Sequence, residues 1–362
     1  MTRSGIWSAN ADLRFQTLPT ALIHGLLARL CVQFIAAATK AHHEMRERQS
    51  DRAFTLRRLY YPRFADNLQH QLKAQASDGT DLGKGAFERQ QMARSEDRER
   101  REALLSWVDG TLRPSAQRPV KHYTTHDARD LAIRLKQPAG GGPPAQTFAS
   151  AAYMRRFRLR FVGAVLKLIR EDPAVEVGLV TIIPRDWRIR GRDLPTVKPK
   201  QYLDRFRQQL VRAGLKEADG WLIAFLHGDY DPKHDTSQLH LHVVATGGLV
   251  PLIRQLRALP AYRRGDPTAP GFVRQPIRVL SLKNPERRVS YYLGQAFWPS
   301  KPSYMKDGVW RRHPRRQRIP NPRHAEWLMW IDRQSFSDLL MLRGCRLGSG
   351  TLMLQGSASR TA

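Results

Sequence analysis

Between Leu239 and Ala245 the chain reads Leu-His-Leu-His-Val-Val-Ala, two histidines flanking one large apolar residue with strand formers behind them. Side chains alternate across a strand, so His240 and His242 leave one face while Leu241 points into a core on the other. Two neutral imidazoles at adjacent pleats can hold one divalent metal ion. The same spacing suits two partly buried histidines hydrogen-bonded to backbone, and only the surrounding chain decides between them.

Trp221 to Leu226 reads as a second strand, running into His227-Gly228-Asp229-Tyr230-Asp231-Pro232, which has the composition of a turn. The two strands would pair as an antiparallel hairpin with its loop near Asp231 to Thr236. Ile223, Phe225, His227 and Asp229 share one parity. If that parity matches the face of His240 and His242, then His227 or Asp229 completes a three-ligand set, leaving open positions for phosphate oxygen and water. His227 also fits a simple turn histidine, and His234 sits in the loop as a bystander.

Regular elements surround this hairpin. Ala151 to Arg170 carries Tyr153, Phe157, Phe161, Val165 and Ile169 at four-residue steps, an amphipathic helix with a basic outer face. Val177 to Ile183 is a buried strand ended by Pro184. Pro199 opens a helix with Tyr202, Phe206 and Leu210 on one face, closed at Gly214. A helix over Leu249 to Leu259, a strand over Ile277 to Leu280 and a helix over Val289 to Phe297 complete the set. The order predicts an α+β fold, one mainly antiparallel sheet with helices packed on one face.

At 362 residues the chain has room for two domains. The run Gln137-Pro138-Ala139-Gly140-Gly141-Gly142-Pro143-Pro144 is the natural boundary. This divides the chain into a helical basic region 1–136, a linker 137–150, a core 151–300, a basic aromatic extension 301–347 and a disordered tail 348–362. Thr20 to Lys40 is apolar, but His24, Arg29 and Gln33 interrupt it, so it reads as a buried helix and not a membrane span. Glu44 to Arg58 and Gly85 to Arg101 read as solvated helices or a flexible arm, and His324 to Arg343 as one core-packed helix. Residues 1–17 lack a signal peptide's apolar stretch. Cys31 and Cys345 lie far apart, as in a reducing compartment, so a cytoplasmic location is expected.

Lys and Arg total 61 against 32 Asp and Glu, a net charge of +29. An excess of this size predicts a polyanionic partner, most simply nucleic acid, and no membrane anchor is visible. From Trp298 to Arg323 the chain is proline-punctuated and basic. Arg311, Arg312, Arg315, Arg316 and Arg318 gather there around Trp310. Guanidiniums contact phosphates and stack on bases, so this reads as an irregular surface for single-stranded or hairpin DNA. No GxxxxGK[ST] motif occurs, which leaves no P-loop helicase in the chain.

The last chemical element is Tyr291-Tyr292-Leu293-Gly294-Gln295. A tyrosine beside a metal-bound phosphodiester can attack phosphorus and keep the bond energy as a phosphotyrosine. Its phenol titrates near 10, so metal and local positive charge must assist.

Three blocks in this order resemble those of the HUH endonucleases, named for histidine, hydrophobe, histidine: Leu179-Val180-Thr181-Ile182-Ile183, His240-Leu241-His242, and Val289 to Gln295. The likeness covers about residues 150–300. A tyrosine helix after the metal strand is similar to rolling-circle replication initiators of plasmids and phages, whereas relaxases usually place it before. The resemblance implies nicking and rejoining of single-stranded origin DNA in a bacterial cytoplasm, with a host helicase as partner. It makes Tyr292 the nucleophile with Tyr291 beside it, and His240 and His242 ligands of Mg2+ or Mn2+. Gln295 stands where initiators commonly carry a lysine; Lys283, Arg287, Arg288 and Lys301 are the cations that could replace it. His227-Gly228-Asp229 looks more like the three-histidine set of relaxases, so a relaxase or HUH transposase is the nearest alternative. A DNA-binding regulator that keeps the fold without cutting is another, and an RNA-binding sheet protein a third.

Overall fold

A computed structural model of the chain describes residues 90–111, 122–136, 144–171, 176–282, 285–293, 298–314, 317–348 and 351–355. The expected helix over 20–40, the charged stretch 44–58, the Pro/Gly run at 137–143, Gln295, Arg315 and Arg316 lie outside them. In chain order the helices are α1 (Gln90–Val108), α2 (Thr125–Arg134), α3 (Ala151–Glu171), α4 (Pro199–Arg212), α5 (Leu249–Gln255), α6 (Pro285–Tyr292), α7 (Arg323–Asp332) and α8 (Phe336–Leu339). The strands are β1 (Val177–Ile182), β2 (Arg188–Arg190), β3 (Leu222–Asp231), β4 (Thr236–Thr246), β5 (Ile277–Ser281), β6 (Ser303–Lys306), β7 (Val309–Arg312), β8 (Leu340–Arg343), β9 (Cys345–Gly348) and β10 (Thr351–Leu354).

The fold is α+β, with one mainly antiparallel sheet in the order β5-β1-β4-β3-β8. β2 pairs with β4 beyond the end of β1. Helices cover both faces, not one. Val250 of α5 stands 2.9 Å from the place a Cβ on Gly178 would occupy. Three residues on, and so on the opposite face, Thr181 bonds to Tyr292 at the end of α6. Double coverage explains why β3 and β4 are buried almost throughout, with no alternation between inside and outside.

The stretch expected to turn at His227 continues as strand to Asp231. Asp229 pairs with Gln238 and Asp231 with Thr236, and the connection itself holds Asp235 at φ +46°. Turn composition is overridden because its two carboxylates find partners. Asp231 accepts from Ser303 Oγ at 2.5 Å and from the Ser303 amide at 3.1 Å, and pairs with His234 Nδ1 at 2.8 Å. Gly228 is required by a close approach, since a Cβ there would meet ring atoms of Trp298 at 2.5 Å.

After Trp298 the chain is more regular than its composition suggests. The segment after Trp298 contains an ordered hairpin, β6–β7, turned by Asp307 and Gly308 at φ +53° and +71°. Asp-Gly with both residues left-handed is the tight hairpin turn that suits strand twist. The expected helix from His324 to Arg343 ends at Asp332. Ser335 and Asp338 form a capping box for α8, and the chain then enters β8, which pairs with β3. Beyond it β9 and β10 pair, so regular structure passes Gly348, where a disordered tail was expected.

α1 is not a solvated arm. It buries Ala93, Leu104 and Trp107. Its Asp97 carboxylate accepts from the Ala151 amide at 2.5 Å and the Ala152 amide at 3.2 Å, capping α3 from another helix. A fork of two bonds, 2.8 and 2.7 Å, joins Arg134 of α2 to Asp332 of α7. Helices from before the Pro/Gly run are thereby fixed to elements after it.

His324, stacked on Trp327 and 3% exposed, lies near Arg100. Burial, then the Arg100 charge, pushes its imidazole down to about 3. Between its ordinary value of 6.5 and about 3, only the unfolded chain takes up this proton, so stability falls as pH falls. The slope is about 1.4 kcal/mol per pH unit. His324→Phe keeps the stacking and should lose about 2 kcal/mol less than the parent between pH 6.5 and 5, read from urea unfolding at both values.

Candidate metal centre

Register builds the site. Across β1, β4 and β3, Thr181, His242 and Phe225 form one row on a single face, and His240 with His227 form the next. One row further, Arg188 of β2, Gln238 of β4 and Asp229 of β3 lie side by side. The parity condition stated for His227 is met, and all three histidines are 2–3% exposed.

His240 Nδ1 lies 3.1 Å from the Gln238 carbonyl oxygen, a bond that needs the hydrogen on Nδ1 and leaves Nε2 its lone pair. His227 Nδ1 is 3.1 Å from that Nε2. This distance suits a hydrogen shared by two rings. It also suits two donors on one ion, because nitrogens about 2.1 Å from a tetrahedral metal stand roughly 3.4 Å apart. A third ring joins them. His242 stacks on His227 with centroids 5.0 Å apart, and ligand nitrogens of all three residues fall within 4.8 Å of one another, a group that could hold a metal ion. Burial pushes the His240 imidazole down, against the opposing Asp229 charge, which keeps the ring neutral and able to ligate.

Asp229, the rival third ligand, is engaged through one oxygen only, its Oδ1 being buried with no hydrogen-bond partner among the described residues. Lys301 Nζ sits 2.7 Å from its Oδ2. Burial pushes the Asp229 carboxyl up, but His240, Lys301 and Arg312 outweigh it and hold the group below its usual range. Lys301 is therefore the one of the four proposed substitute cations seen beside the histidines. Arg288 donates to the Ser281 carbonyl at 3.3 Å, and Lys283 and the Arg287 side chain lie outside the described residues.

Tyr292 is on the cluster. Its ring centroid is 4.9 Å from that of His242, tilted by 40°, and its hydroxyl accepts from Thr181 Oγ1 at 3.2 Å. α6 is pinned by Arg158 of α3, whose Nη2 donates to the buried Ser290 Oγ at 3.1 Å. Tyr291 is the preceding residue of the same helix. Phenol, three imidazoles and a lysine-bound carboxylate thus follow one another along a single sheet face.

The arginines expected to bind DNA divide. Arg318 is spent inside the chain, 2.5 Å from Glu96 and paired with Glu99. Arg311 is exposed and 3.7 Å from Asp307. Arg312 reaches back toward the centre, where its charge acts on Asp229, His240 and Asp231. Lys233 Nζ lies over the Trp310 ring, 4.6 Å from its centre, and His234 meets that ring edge-on with centroids 4.9 Å apart, so His234 helps seat the β6–β7 hairpin. Sequence reasoning missed Arg188, whose side-chain face is set by the three-residue pairing of β2 with β4.

No protein-family model, curated protein or solved structure matches the chain. Among the described residues no helix is long and apolar enough to cross a membrane.

Proposed function

We propose that the protein is a metal-dependent DNA strand transferase, a rolling-circle replication initiator that nicks and rejoins single-stranded origin DNA through Tyr292. The observation that carries this reading is the phenol 4.9 Å, ring to ring, from a histidine of a three-imidazole cluster. A metal held by His227, His240 and His242 would polarise the phosphodiester and lower the charge barrier to attack. The chain's own part is to aim the phenol. Tyr292 Oη gives up its proton and forms the bond to phosphorus, a sugar oxygen leaves with the bonding electron pair and takes up a proton in exchange, and the reverse step rejoins the strand. Thr181 orients the hydroxyl. Lys301 and Arg312 keep the surroundings positive for a polyanion, as the net charge of +29 does at long range. Mg2+ or Mn2+ is the expected ion; three imidazoles without a carboxylate favour Mn2+ of the two. A host helicase would open the nicked duplex.

A second reading, relaxase or HUH transposase, is favoured by one observation: the third position is filled by His227 while Asp229 is bound to Lys301. The test common to both is incubation of the protein with labelled single-stranded DNA from its own replicon, with Mn2+, Mg2+ or a chelator. A metal-dependent covalent band on a denaturing gel is expected, at lower Mn2+ than Mg2+. Salt-sensitive DNA binding without any such band would leave a non-cutting regulator.

A further inference from the structure

Two arginines act on one corner beside the histidines, where Asp231 is the carboxylate that feels both charges. Arg188 leaves β2 on the histidine face, one row from His240, with Nε 3.0 Å from Thr236 Oγ1 and Nη1 2.5 Å from the Pro270 carbonyl. Its Nη2 stands 3.9 Å from Asp231 Oδ2. Arg312 comes from the base of the β6–β7 hairpin, opposite Ser303, and Ser303 is itself bonded to Asp231. Asp231 is the anion shared by this corner, yet its oxygens already serve Ser303, His234 and the Lys233 amide. Arg312 Nη1 is shielded from water and has no hydrogen-bond partner among the described residues. An enclosed guanidinium donor left unmet is costly unless an anion completes it.

We propose that Arg188 and Arg312 form a phosphate-binding pair on the side of the histidine cluster away from Tyr292. The pair takes the backbone phosphate next to the one being broken. This rests on the reading of the centre as one that breaks phosphodiesters. The register sets the order: Thr181, with Tyr292 above it, lies in the row on one side of His240 and Arg188 in the row on the other. Rows two residues apart along a strand are separated by roughly 7 Å, comparable with one nucleotide step. Guanidinium forks match the geometry of phosphate oxygens, which lysine does not. Burial and the neighbouring Arg312 charge also disfavour the charged form of Arg188, as expected of a site waiting for an anion.

The test uses the full chain in two arms. First, inorganic phosphate is titrated into chelator-treated protein and followed by phosphorus NMR, comparing the parent with Arg312→Gln, Arg188→Gln and the remote surface variant Arg212→Gln. About tenfold weaker binding is expected for the first two, and less than twofold change for Arg212→Gln. Equal affinity in Arg312→Gln and Arg212→Gln overturns the pair. Second, the rate of covalent adduct formation on single-stranded DNA should fall 10- to 100-fold in Arg312→Gln and recover partly in Arg312→Lys. A methylphosphonate at the flanking linkage should cost the parent the same factor and the variant nothing more. An adduct formed equally fast by Arg312→Gln overturns the inference and leaves the nuclease reading standing. Phosphate binding lost in Arg312→Gln, with no adduct from the parent, supports the anion site and rejects the nuclease. Circular dichroism checks each fold; should Arg312→Gln unfold, Arg188→Gln carries both arms with the same expected losses and the same overturning results.

Discussion

Replacing His240 by alanine is expected to abolish tight Mn2+ binding and to slow covalent capture of DNA by at least about a thousandfold. His240 is the middle member of the cluster, 3.1 Å from His227 and with its ring 4.9 Å from that of His242. Its Nδ1 bond to Gln238 fixes which nitrogen faces the others. Removing it leaves two donors where a catalytic ion needs three. Polarisation by a bound ion is worth several kcal/mol, and each 1.4 kcal/mol is about tenfold in rate. Calorimetric titration with Mn2+ reads the first effect and adduct formation the second. His240→Gln, which keeps volume, separates metal loss from a core defect. Unchanged Mn2+ affinity in both variants would make the histidines a packing cluster.

Tyr292→Phe should abolish the chemistry and leave metal and DNA binding intact, at a small cost in stability. The ring remains against His242, Mn2+ and DNA bind as before, and the adduct disappears, because phenylalanine lacks the oxygen that bonds to phosphorus. The loss at Thr181 is one hydrogen bond of 3.2 Å, about 1 kcal/mol. Tyr291→Phe should keep the adduct. If the two tyrosines exchange these outcomes, the nucleophile is Tyr291 and the 4.9 Å contact of the Tyr292 and His242 rings has another purpose.

What the sequence disclosed follows from the range of its signals. Alternation of period two placed His240 and His242 on one face and made His227 their neighbour by parity, and the sheet keeps that register over ten pairs of β3 and β4. The amphipathic spacing from Tyr153 to Ile169 likewise corresponds to α3. Signals that depend on distant partners were illegible. Gly228, Asp229 and Asp231 look like turn residues until Trp298, Lys301 and Ser303 arrive from 72 residues or so along the chain. Continuous burial of β4 could not reveal that helices cover both faces, since it needs α5 and α6 in place. Two misses had local signals. Asp307-Gly308 between strand-like residues marks β6–β7, and Ser335 with Asp338 marks a fresh helix start after α7. Arg188 and Arg312 carry no local signal at all, because pairing of β2 with β4 and docking of the hairpin on Asp231 bring them together.

If Tyr292 and the three histidines form one strand-transferring centre, mass spectrometry of the protein after incubation with single-stranded replicon DNA and Mn2+, nuclease trimming and proteolysis reads it most directly. A residual nucleotide is expected on Tyr292, absent with chelator and absent in His240→Ala. Adduct chemistry at a residue elsewhere in the chain, or one indifferent to chelation, would rule that centre out.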